Sequence, residues 1–92
     1  MGHTAENKKK LLARVGRIQG QMKAIQKAVE EESACAELLQ VVASCRGALN
    51  GLMSELIEGH LYGHVLAPRA KRTSDQLKAA DELMAVVTAY LR

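Results

Sequence analysis

The run from Ser33 to Val65, SACAELLQVVASCRGALNGLMSELIEGHLYGHV, decides the fold. Cys35, Leu38, Val42, Cys45, Leu49, Leu52 and Leu56 recur at alternating steps of three and four. That spacing is one face of an α-helix. His60 and His64 continue the stripe at steps of four, and no proline intervenes before Pro68. The reading is therefore one uninterrupted helix from about Ser33 to about Val65, with Ser33 as its N-cap and Glu37 in its early turns. At about 1.5 Å per residue it is roughly 50 Å long.

Helices are expected on both sides. Leu11, Val15, Ile18, Met22, Ile25 and Val29 form a seam after Thr4, a candidate N-cap, with Glu6 in the first turn and a break over residues 30–33. Thr73 and Gln76 match a capping box before a third seam of Leu77, Ala80, Met84, Val87 and Leu91. Residues 66–72 form a loop with Pro68, Arg69, Lys71 and Arg72. The expected fold is all-α: a three-helix protomer with a long central helix, a single domain over residues 1–92.

Composition narrows the class. The chain has 92 residues, a 48% hydrophobic fraction, one Pro, two Tyr, and neither Phe nor Trp. A core without large aromatics is short of contacts for a lone small domain. Two cysteines outside CxxC spacing form no disulfide framework. No apolar run approaches the ~18 residues of a membrane span, and no signal-peptide pattern precedes the charged start, so a cytoplasmic protein without a membrane partner is expected.

A central helix of that length overreaches its neighbours, which implies self-association through it. Gly47 and Gly51, four apart near its middle, would let two backbones cross closely; glycine there otherwise costs about 1 kcal/mol each. His60 and His64 lie on one face, a common chelating pair. Cys35, 25 residues earlier, is about 37 Å away along the same helix and cannot share their metal within one protomer. An antiparallel partner, with its two-fold axis at about residue 48.5, sets Cys35 opposite the midpoint of the two histidines and predicts two equivalent sites per dimer. His3 and the Gly2 amine could join from the N-terminus. Imidazoles, thiolate and amine suit Ni, Co, Zn or Cu(II), and not Mg or Ca. The plainer alternative makes His60 and His64 solvent-exposed helix residues and Cys35 a small buried apolar one. Cys45, mid-seam, belongs to the core.

Charge is segregated. Residues 1–27 carry Lys8, Lys9, Lys10, Arg14, Arg17, Lys23 and Lys27 against Glu6 alone, whereas residues 28–60 carry six acids against Arg46. Lys10, Arg14, Arg17 and Gln21 share one face of the first helix, a stripe able to follow phosphates or serve only as a solvated face. No Gly-rich phosphate loop, Ser-His-Asp set or paired carboxylates suggest an enzyme, and no organic cofactor is implied.

Lys8-Lys9-Lys10-Leu11-Leu12-Ala13-Arg14-Val15, then Arg17-Ile18 and Gly20-Gln21, resemble the start of the CsoR/RcnR/FrmR family of small bacterial repressors. Cys35 with Leu39-Gln40, Arg46-Gly47-Ala48, Asn50-Gly51-Leu52-Met53 and the closing Ala89-Tyr90-Leu91-Arg92 extend the resemblance over the whole chain. It implies dimers pairing into tetramers that bind operator double-stranded DNA without a helix-turn-helix and release it on inducer binding. The DNA-contacting positions then map best onto Arg14, Arg17 and Arg46, supported by Lys8 to Lys10. His3, Cys35, His60 and His64 resemble the nickel/cobalt-responsive branch, which implies Ni(II) or Co(II) as inducer and derepression of an efflux gene. Tyr62, Gly63 and Cys45 depart from that pattern. One alternative is a formaldehyde-responsive repressor of the same fold, using Cys35 and the N-terminal amine. Another is a helical metal-binding protein without a DNA role.

Overall fold

A computed structural model describes residues 5–66 and 71–91, with side chains from Asn7 onward. Gly2, His3, Thr4, Pro68, Arg69 and Arg92 lie outside the described residues. The order is α1 (Ala5–Glu30), α2 (Cys35–His60), a π-helical turn (Leu61–Val65) that continues α2 without a break, and α3 (Ser74–Tyr90).

The long central helix is present, with two differences at its ends. Ser33 is not its cap: Ala34 holds the N-cap position without a side-chain bond, and helix-type bonding begins with Leu38 N–H to the Ala34 carbonyl at 3.1 Å. Ser33 instead closes α1. Its N–H reaches the Ala28 carbonyl at 2.9 Å, and Glu32 N–H reaches that of Val29 at 3.1 Å, the paired bonds of a Schellman motif. The motif needs a left-handed residue, and Glu32 supplies it at φ 52°. At the other end the helix widens: Leu66 N–H bonds to the Leu61 carbonyl, five residues back, at 3.0 Å.

α3 starts as its sequence indicates. Thr73 Oγ1 accepts from Gln76 N–H at 3.1 Å, and Gln76 Oε1 accepts from Thr73 N–H at 3.2 Å. Its apolar face packs Ala80 and Met84 on Leu61, with Ile57, Tyr62, Leu66 and Val87 around them. α1 lies along α2 through Ile18 and Cys45, whose thiol donates to the Met22 thioether at 3.6 Å. Cys45 is buried at 3% exposure, as expected for a core residue.

Among the described residues only Ile18, Cys45, Leu61, Ala80 and Met84 are buried. The protomer measures 56 × 27 × 13 Å with a radius of gyration of 17.3 Å. A compact chain of this length has about 12 Å. Leu39, Val42, Leu49 and Met53 of α2 stand 43–61% exposed.

Candidate metal and nucleic-acid sites

The apolar stripe of α2 divides into two edges. Leu38, Cys45 and Leu52 turn inward along α1, while Cys35, Leu39, Val42, Leu49 and Met53 are exposed. Helical spacing places Arg46, His60 and His64 on this exposed edge too. Cys35 is thus not a buried apolar residue.

His60 ends α2 and His64 sits in the π-helical turn. Their rings stack with centroids 5.5 Å apart and planes at 29°, and both side chains are exposed. Among the described residues no three His, Cys, Asp or Glu side chains converge on one point. The pair fits two positions of a metal's coordination sphere, and neutral imidazoles suit borderline divalent ions. Cys35, at the far end of α2, is not brought to them within the protomer.

The turn carrying His64 is held from α3 and from the residues just before it. Leu61 fills the small core, the Tyr62 hydroxyl donates to Asp81, and Arg72 donates through Nη2 to the Tyr62 carbonyl. The hydrogen bond its hydroxyl donates to Asp81 holds the Tyr62 phenol above its ordinary pKa. Sequence reading assigned Tyr62 no role, and its partner lies 19 residues away. On the other side, Asn7 and Leu11 of α1 line a cleft with Glu58, Gly59, Tyr62 and Gly63. The start of α1 therefore stands beside the histidine-bearing turn.

The basic stripe of α1 is not uniform. Lys8, Lys9, Lys10 and Arg17 are exposed. Arg14 is turned onto α2, where its Nε donates to Glu55 Oε2 at 2.9 Å, with both side chains about one-third exposed. The guanidinium lies over Gly51: a Cβ there would stand 2.7 Å from Arg14 Nη1. Gly51 thus accommodates an arginine of its own protomer, and Gly47 meets nothing within 4 Å. Neither glycine forms a helix crossing within the described chain. Gln21 Nε2 donates to Ser44 Oγ at 2.9 Å. Arg46 is exposed on the α2 edge, away from the seam edge at which Arg14 and Gln21 bond to Glu55 and Ser44.

No described helix is long and apolar enough to cross a membrane. Residues 7–89 match the family model for metal-sensitive transcriptional repressors. The chain is 42% identical over 95 residues to the transcriptional repressor RcnR of Citrobacter koseri and 41% identical over 95 residues to that of Escherichia coli K12, each comparison covering both chains in full. Among solved structures it is similar to a histidine-for-glutamate variant of the formaldehyde-responsive regulator FrmR from Salmonella enterica serovar Typhimurium. That match has a TM-score of 0.69 and 42% identity, covering 96% of this chain and 98% of the other.

Proposed function

The chain belongs to the metal-sensitive transcriptional repressor family, not to an enzyme family, and from that premise we propose a nickel- or cobalt-responsive repressor, acting in the cytoplasm, that binds operator DNA when metal-free. Zn(II) or Cu also suits the donor set. The reading is carried by one observation: stacked, exposed His60 and His64 at one end of an uncovered α2 edge whose other end bears exposed Cys35. An antiparallel partner seated on Leu39, Val42, Leu49 and Met53 would bring its Cys35 to these histidines and cover the exposed apolar residues. His3 and the Gly2 amine would enter from the start of α1, which stands beside the same turn. Pairs of such dimers would form the tetramer.

Lys8, Lys9, Lys10, Arg14, Arg17, Gln21 and Arg46 are assigned to DNA. Repeated over four protomers, modest contacts sum to a steeply salt-dependent affinity. Metal joining Cys35 of one chain to His60 and His64 of another would change the relative placement of the basic faces and release the operator, derepressing an efflux gene.

Metal-by-metal titration of operator release tests this, repeated with His3→Ala, His64→Ala and mixed chains. Cys35→Ala and His60→Ala homodimers should each lose response, while a heterodimer of the two retains one intact site. Failure of every divalent metal to lower DNA affinity would overturn the reading.

The exposed Cys35 thiol and the likeness to a formaldehyde-responsive regulator support a second reading, an aldehyde-responsive repressor. Its signature is a 12 Da methylene bridge, the mass of one added carbon, between Gly2 and Cys35 after formaldehyde treatment. The stacked histidine pair has no part in it, which favours metal. Family membership sets aside a metal-binding protein without a regulatory role.

A further inference from the structure

We propose that Glu55 and Gly51 form a latch that holds Arg14 back from DNA, so that α2 sets the affinity of the basic face on α1. This rests on the assignment of Arg14 to DNA made above. Three features of the chain describe how the arginine is held. Its Nε–H is occupied by Glu55 at 2.9 Å, across 41 residues of sequence. Its guanidinium rests where a side chain at position 51 would be, since a Cβ there would approach Nη1 to 2.7 Å. Its neighbours on the stripe, Lys10 and Arg17, are exposed, whereas Arg14 is half-buried.

A guanidinium lying on a helix backbone with a carboxylate on its Nε is not projected toward a phosphate. To reach DNA it must leave Glu55, and the ion pair then opposes binding by whatever it contributes to the free protein. Pairs with this exposure contribute modestly, so the latch tunes affinity and does not abolish it. Lys8, Lys9 and Lys10 would supply the encounter, and Arg14 would join only when phosphate outcompetes the carboxylate.

Two substitutions open the latch by different chemistry. Glu55→Gln removes the charge that holds Nε. Gly51→Ala leaves net charge intact, adds about 1 kcal/mol of helix propensity, and pushes the guanidinium off the helix with a methyl group. Both are expected to tighten binding of the full-length protein to a mixed-sequence 40-base-pair duplex by roughly two- to fivefold at low salt. Both should steepen the salt dependence by about one phosphate contact. Neither should do so with Arg14→Ala, which separates the latch from a general gain in charge. Solvent exchange of the Arg14 Nε–H, followed by 15N NMR, reads the latch without DNA: slow in the parent, fast in Glu55→Gln and Gly51→Ala.

Equal exchange in all three proteins overturns the latch, and so does a gain in affinity that survives Arg14→Ala. Slow exchange with Arg14→Ala binding as tightly as the parent also overturns it, by a different failure: the arginine is latched but does not touch DNA. If none of the proteins binds the duplex, the DNA assignment fails and takes the proposal with it.

Discussion

The two ends of α2 are built differently. The Cys35 end has no side-chain cap, is preceded by a glutamate in a left-handed conformation, and carries an exposed thiol. The His60 end runs into a widened turn buried through Leu61, tied to α3 by Tyr62–Asp81 and to the residues just before α3 by Arg72–Tyr62. Two imidazoles are thus presented at a supported end, one closing α2 and one on the turn, while the thiol stands on an end left bare by its own chain. A site drawing on both ends needs them to meet between protomers, and the exposed apolar residues connecting them are the surface on which that could occur.

The sharpest way to break this comparison lies between the ends. With a partner seated on this edge as proposed, Leu49→Glu should leave only 10.0 kDa protomers in analytical ultracentrifugation and cost several kcal/mol of stability, because a carboxylate would be buried where the two chains meet. On a face that stays in water the same change would cost within about 0.5 kcal/mol. At the supported end, Met84→Ala should empty part of the small core and cost about 2 kcal/mol in thermal or urea unfolding, the low side of the usual range because the site can collapse. It should also broaden the His64 resonances, since the turn loses its footing.

At the bare end the expected sign reverses. Glu32→Gly should stabilise the protein by up to about 1 kcal/mol, because glycine adopts φ 52° without the clash between Cβ and the backbone. A loss of stability there would show that the Glu32 side chain does something its backbone does not. The smallest effect is alkaline. The Tyr62–Asp81 bond requires the protonated phenol, whose pKa is raised in the fold. Its contribution is complete below the ordinary tyrosine pKa of about 10 and is lost as pH rises through the higher folded value. Unfolding followed from pH 9 to 12 should show this step in the parent and a smaller one in Tyr62→Phe.

Much of the fold was legible because it is local. Apolar residues three and four apart give a helix wherever they occur, and Thr73 with Gln76 close a box over three residues. Even so, Ser33 does not cap α2 as its position suggests: it donates backward into α1, because a glutamate takes a left-handed position usually filled by glycine. The π-helical turn left no mark, since spacing four suits a histidine pair in either register. Gly51 announced close packing, but not with what. Within the protomer its neighbour is Arg14 of α1.

The sequence by itself determined three helices, the length of the central one, the core position of Cys45 and the pairing of His60 with His64. Each follows from helical periodicity or from bonds spanning a few residues. Only the tertiary structure decided which edge of α2 is covered by α1, that Arg14 is held by Glu55, and that Tyr62 ties the histidine turn to Asp81. The physical reason is the same in all three cases. A helical repeat defines a face to within about one residue's rotation, so it admits either edge of a broad stripe. Ion pairs and hydrogen bonds across 19 to 41 residues depend on how helices are laid together, which no local spacing records.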